Sequence, residues 1–169
     1  MNELTHFSDA GRARMVDVSA KSDTQRVAIA SGVLRMQPAT LERIRGGKIA
    51  KGDVLTEADV GAVMAAKRTS EMIPMCHPVA LTGVEVEFSE IIEPDTSGCV
   101  GIKVVTTASC TGQTGVEMEA LCAASVALLT IYDMCKAIDR GMRIESVQLE
   151  EKRGGKSGVW LRENASKSA

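Results

Sequence analysis

Thr111-Gly112-Gln113-Thr114-Gly115-Val116-Glu117-Met118-Glu119-Ala120-Leu121, running on into Tyr132-Asp133-Met134-Cys135-Lys136, is the stretch from which the fold reads outward. Two Thr-Gly pairs form an entry with little steric bulk. Glu117 and Glu119 follow where a helix begins, and the chain is then uncharged from Ala120 to Tyr132. A long, Ala-rich helix that is apolar nearly all round must be buried. Near its far end Asp133 and Lys136 fall on one face, three residues apart. Two readings stand side by side. The pair is either an ordinary ion pair closing a core helix, or an acid and a base that work together.

The flanking segments supply the rest of the fold. Val27, Ile29, Ser31, Val33 and Arg35 alternate with Ala28, Ala30, Gly32 and Leu34, which predicts a strand. Pro38 suits a first helical position and Gly46-Gly47 a stop, so Pro38–Arg45 reads as a short helix. Thr56 with Asp59 predicts a capping box opening a second helix to about Ser70. Pro74 and Pro78 keep Met75-Cys76-His77 out of helical backbone. Val84–Phe88 and Val100–Thr107 read as strands joined by a turn at Asp95-Thr96-Ser97-Gly98. The long helix is expected to end at Gly141, and Ile144–Leu149 to form a last strand. This order predicts an α+β, ferredoxin-like antiparallel sheet with helices packed on one face. No repeat or long linker divides residues 1–169, which read as a single domain. Residues 1–24 read as an N-terminal arm, and 152–169 as a mobile loop and C-terminal tail.

Composition narrows the function. Of 169 residues, 44% are hydrophobic and 25% charged, as in soluble globular domains. A net charge of −2 gives no basic field for nucleic acid or an anionic membrane, and 2% aromatics are too few for base-stacking platforms. No apolar run is expected to span a membrane, and the start lacks the pattern of a signal peptide. Five cysteines without C-x-x-C spacing predict reduced thiols and a cytoplasmic setting. With His6 and His77 the only histidines, no metal site and no cofactor are expected.

Gly155-Lys156-Ser157 resembles part of a phosphate-binding loop, but that motif needs a glycine where Glu150 stands. Lys152, Arg153 and Lys156 remain as cations able to close over an anion, or as a solvated basic tail. His77 is a candidate acid, base or phosphate donor, and equally a structural hydrogen-bonding group. Cys76 as a nucleophile is the weaker reading. Lys51, Lys67, Arg68, Lys21 and Arg26 are either surface charges or anion clamps. This inventory favours an enzyme binding a polyanionic small molecule, with Asp133, Glu119 and His77 available for proton transfer.

Met15-Val16-Asp17-Val18-Ser19-Ala20-Lys21, Lys51-Gly52-Asp53-Val54, Ala66-Lys67-Arg68-Thr69, Ile73-Pro74-Met75-Cys76-His77-Pro78 and Gly154-Gly155-Lys156-Ser157-Gly158 stand in this order around the opening stretch. Together they resemble the cyclic pyranopterin monophosphate synthases, which act early in molybdenum-cofactor biosynthesis. The resemblance runs from about Leu4 to Gly158 and is weaker over Ala58–Ala65 and after Gly158. It implies a lyase that converts 3′,8-cyclo-7,8-dihydroguanosine 5′-triphosphate to cyclic pyranopterin monophosphate and releases pyrophosphate. It also implies a homohexamer, a trimer of dimers. Glu119 and Asp133, 14 positions apart and so about 21 Å along a continuous helix, place the active site at a dimer interface. Carried over by matching motif, Asp133, Lys136 and Lys51 are catalytic. Met75, Cys76, His77, Met118, Glu119, Glu117, Lys21, Arg26, Lys67, Arg68 and Lys152 bind substrate. The alternative is a non-enzymatic, nucleotide-binding regulatory module of ferredoxin-like fold.

Overall fold

The structure, a computed structural model, describes residues 15–47, 49 and 52–163. The chain runs β1 (Thr24–Met36), α1 (Pro38–Arg45), α2 (Val54–Lys67), α3 (Thr69–Met72), β2 (Leu81–Ile91), β3 (Val100–Gly112), α4 (Glu117–Cys135), β4 (Arg143–Arg153) and β5 (Trp160–Leu161). The sheet has the order β2-β3-β1-β4-β5, and all its pairings are antiparallel. Without the short β5, this is the ferredoxin-like arrangement, with β1 at the centre and α2 and α4 packed against the sheet.

The core face of β1 carries Ala28, Ala30, Gly32, Leu34 and Met36, all buried. The bulkier β-branched alternates Val27, Ile29 and Val33 point the other way and are only half-buried. Small residues win the core because α4 lies close against them. A Cβ added to Gly32 would stand 2.7 Å from Leu128 Cδ1. The buried stripe of α4 is itself small, with Ala120, Ala123, Ala124 and Ala127 followed by Leu128 and Ile131. On its flank α2 approaches as closely, because Gly61 faces Thr130 where a Cβ would come within 2.8 Å of its hydroxyl. With 19 residues and high mean hydropathy, α4 matches a membrane span by length and composition, unlike the expectation from the sequence. Here it packs against α2 and three strands.

Some boundaries differ from those expected. The cap of α2 is Asp53, whose Oδ1 accepts from the Leu55 and Thr56 amides at 3.1 and 3.2 Å. The Thr56 hydroxyl donates to Asp53 Oδ2 at 2.8 Å, so Thr56 sits inside the first turn instead of opening it. α4 ends at Cys135, six residues before Gly141. Tight turns follow, since the Ile138 and Asp139 amides both donate to the Cys135 carbonyl. The turn after β2 falls where Asp95 predicts it, with Oδ1 accepting from Ser97 and Cys99 and Gly98 at φ +77°.

Asp139 then reaches across to α1. Its carboxylate accepts from the Gln37 amide (2.9 Å), the Thr40 hydroxyl (3.1 Å) and the Gly141 amide (3.0 Å), and it is 8% exposed. Gln37 caps α1 without a side-chain bond of its own, so Asp139 serves that helix end from a distant part of the chain. Asp139→Ala should cost about 1–3 kcal/mol, because the buried Thr40 hydroxyl and two backbone amides lose their acceptor. Urea unfolding measures this, and a loss below about 0.5 kcal/mol would show that the contact carries no stability.

Candidate functional site

The N-terminal end of α4 opens onto a cleft of about 460 Å³, within the range of small-molecule sites. Three separate segments build it. Thr114, Gly115, Glu117, Met118 and Glu119 form one wall, at the entry to α4. Met75, Cys76 and His77 form a second, in the turn where the Cys76 amide donates to the Ile73 carbonyl. Val16, Val18 and Lys21 come from the segment before β1 and close the third side. That segment is shaped by Asp17, whose Oδ1 accepts from the Ser19 amide at 2.9 Å and from its hydroxyl at 2.6 Å. A second cavity of about 320 Å³ shares Val18, His77 and Thr114 with the first. His77 therefore stands between two lobes of one depression.

Glu119 is 4% exposed. Burial raises its carboxyl above the ordinary glutamate range, opposed by its own amide and reinforced by the negative Glu117 nearby. Folded, it holds its proton to higher pH than it does unfolded. Stability must then fall as pH rises from the ordinary range through the raised value, where the unfolded chain has already released the proton. Glu119→Gln should remove that slope, gaining stability relative to the wild type at pH 8 but little at pH 4. Urea midpoints at both pH values test this, and an equal difference at the two would contradict the buried, proton-holding carboxyl.

The thiol of Cys76 is raised by burial, then by the charges of Glu119 and Cys122. A raised thiol pKa lowers the thiolate fraction and with it nucleophilic strength, in keeping with the weaker standing of the nucleophile reading. Cys76→Ala should keep turnover within about tenfold of wild type. A complete loss, together with a covalent adduct trapped on the wild-type thiol, would reverse that assignment.

Among the described residues, the remaining candidates do not line this cleft. Asp133 and Lys136 pair at 2.5 Å at the far end of α4, with side chains 57% and 52% exposed. The helix packs into the core as expected, but the pair stands on an exposed face of its last turn while Ile131, Met134 and Cys135 stay buried. Lys67 ends α2 and Arg68 follows it, both exposed. Lys152 lies in β4 and donates to the Ser157 hydroxyl. Arg26, on β1, turns its guanidinium to the carbonyls of Gly112 (2.8 Å) and Gln113 (2.9 Å). Lys51 lies outside the described residues. Sequence reasoning had not singled out Val16, Val18 or Thr114 as lining residues. Their only signal was membership of the quoted motifs, since none carries a charge.

A ferredoxin-like sheet, with a cleft of small-molecule size where its longest helix begins, defines the class of this α+β protein. The chain belongs to the MoaC family, whose profile matches residues 15–155. It is 61% identical over 166 residues to a cyclic pyranopterin monophosphate synthase of Desulfitobacterium hafniense, covering 98% of each chain. It is 57% identical over 160 residues to the cyclic pyranopterin monophosphate synthase of Novosphingobium aromaticivorans, covering 95% of this chain and 98% of that one.

Proposed function

We propose that this chain is the lyase that converts 3′,8-cyclo-7,8-dihydroguanosine 5′-triphosphate into cyclic pyranopterin monophosphate, releasing pyrophosphate, in molybdenum-cofactor biosynthesis. What supports the reading is a cleft assembled from the stretches that carry the family resemblance, namely Met15–Lys21, Met75–His77 and Thr114–Glu119. Opening a guanine ring, closing a pterin and forming a cyclic phosphate require several protons to move. A buried carboxyl whose hold on its proton is strengthened, lining the same cleft as His77, is suited to donating and accepting them.

The charge balance of the cleft points beyond one chain. Among the described residues lining it, Lys21 is the sole cation, against Glu117 and Glu119. A triphosphate there needs more positive charge. We assign this to Lys51, Lys136, Lys67, Arg68 and Lys152, with Asp133 as acid/base. Because α4 is continuous from Glu117 to Cys135, Glu119 and Asp133 are separated by about 21 Å at 1.5 Å per residue. Side chains do not close that gap around one nucleotide. The site is therefore shared across a two-fold interface, within a homohexamer acting in the cytoplasm.

Incubating the protein with the cyclised GTP derivative and following pyrophosphate tests the activity. Tight binding of that compound by folded protein, with no pyrophosphate released, would favour the nucleotide-binding module instead.

A further inference from the structure

Arg26 is half-buried near the start of β1, and two of its three guanidinium nitrogens donate to backbone. Nε donates to the Gly112 carbonyl and Nη2 to the Gln113 carbonyl, at 2.8 and 2.9 Å. These consecutive carbonyls lie where β3 leaves the sheet, at and just beyond the last registered pair, Thr24 with Gly112. Charge-assisted bonds to both fix the path of the chain into Thr114 and Gly115, which line the cleft. On its other side the guanidinium rests against Gly155, where an added Cβ would overlap Nη1 and crowd Cζ and Nη2. Gly155 has φ +69° and Gly154 φ +95°, so the two glycines lie flat along Gln25 and Arg26.

From this we infer that Arg26 is a positioning residue: it acts as a strut that ties the turn after β4 to the wall of the cleft, and it serves catalysis through Thr114–Glu117 instead of by contact with phosphate. This rests on the proposed activity, yet it departs from the substrate-binding role that the family resemblance gives Arg26. A point charge alone does not perform the task. The planar fork bridges two carbonyls while its third nitrogen packs on a glycine, and a lysine ammonium reproduces only the charge.

The test compares Arg26→Lys, Arg26→Gln and Gly155→Ala by steady-state kinetics with the cyclised GTP derivative and by inhibition with pyrophosphate. If Arg26 is a strut, Arg26→Lys and Gly155→Ala each lose tenfold or more in kcat/KM. Arg26→Gln, which keeps a planar donor without the charge, recovers part of the loss seen in Arg26→Lys. The pyrophosphate inhibition constant stays within about twofold of wild type in all three. Retention of kcat/KM by Arg26→Lys, or tenfold weaker pyrophosphate inhibition in both Arg26 variants, would overturn the strut. Amide hydrogen exchange at Gln113–Val116 gives a reading independent of turnover and of whether Gly155→Ala folds. It should quicken at least tenfold in Arg26→Lys, and unchanged exchange there also overturns the inference. A wild-type chain that releases no pyrophosphate would refute the proposed reaction, while the exchange measurement still decides the strut.

Discussion

Glu119→Ala and Lys136→Ala, each nearly inactive alone, should regain about one active site in four when unfolded together and reassembled. The expectation follows from the length of α4, which holds the two residues at opposite ends of one rigid element. In a mixed dimer, one site draws Glu119 and Lys136 from the subunits that still possess them. The other site receives both substitutions. Random pairing makes half of the dimers mixed, hence the fraction. Lys136 is exposed and paired with Asp133, so its removal leaves the core intact. Glu119→Ala removes a buried carboxyl at the rim of the cleft, and circular dichroism of the variant checks that it still folds. Mixed assemblies that form without recovering activity would place both residues in the site of a single chain.

Gly154→Ala should be strongly destabilising, costing about 3 kcal/mol or more. Its φ of +95° lies outside the range that an alanine adopts without strain. The added methyl would also overlap the carbonyl oxygen of Gln25, a backbone atom that no rotamer change can move. Gly158→Ala is the control. Its φ is +61°, but nothing lies within 4 Å of the added carbon, so only the left-handed strain of about 1–2 kcal/mol applies. Urea denaturation of the two variants separates the terms, and equal losses would show that the contact with Gln25 relaxes freely. For a chain of this size each kcal/mol lowers the melting temperature by roughly 2–4 °C.

The elements that were legible in the sequence are those whose signals are local. Pro38 opens α1, Asp95 and Gly98 turn the chain between β2 and β3, and the uncharged, Ala-rich run from Ala120 marks α4. The strands extend further than alternation predicted, because β1 and β3 pair from Thr24 with Gly112 to Met36 with Val100 whatever their side chains. Which face of β1 is buried was hidden for a related reason. Val27, Ile29 and Val33 look like core residues, but a close-packed helix selects Ala28, Ala30 and Gly32 instead.

The site divides along the same line. Met75–His77 and Glu117–Glu119 carry chemistry that composition reveals, and the structure brings them together. The Val16–Lys21 segment has no periodicity, so only its tertiary contacts place it over the cleft. Arg26 and Asp139 are single charges whose partners lie 86 and 102 residues away, a distance at which no local pattern survives.

The close fit of β1 against α4 makes the helix a gauge of fixed length. With glycine and alanine where the two meet, no side chain can be trimmed to absorb a shift. One residue inserted between Ala120 and Asp133 would swing everything beyond it by about 100° and advance it by about 1.5 Å. Asp133 and Lys136 would then present themselves to a different side of the molecule. Descendants of this chain are free to exchange letters along the outer face of α4, but not to change the number of letters between its two ends.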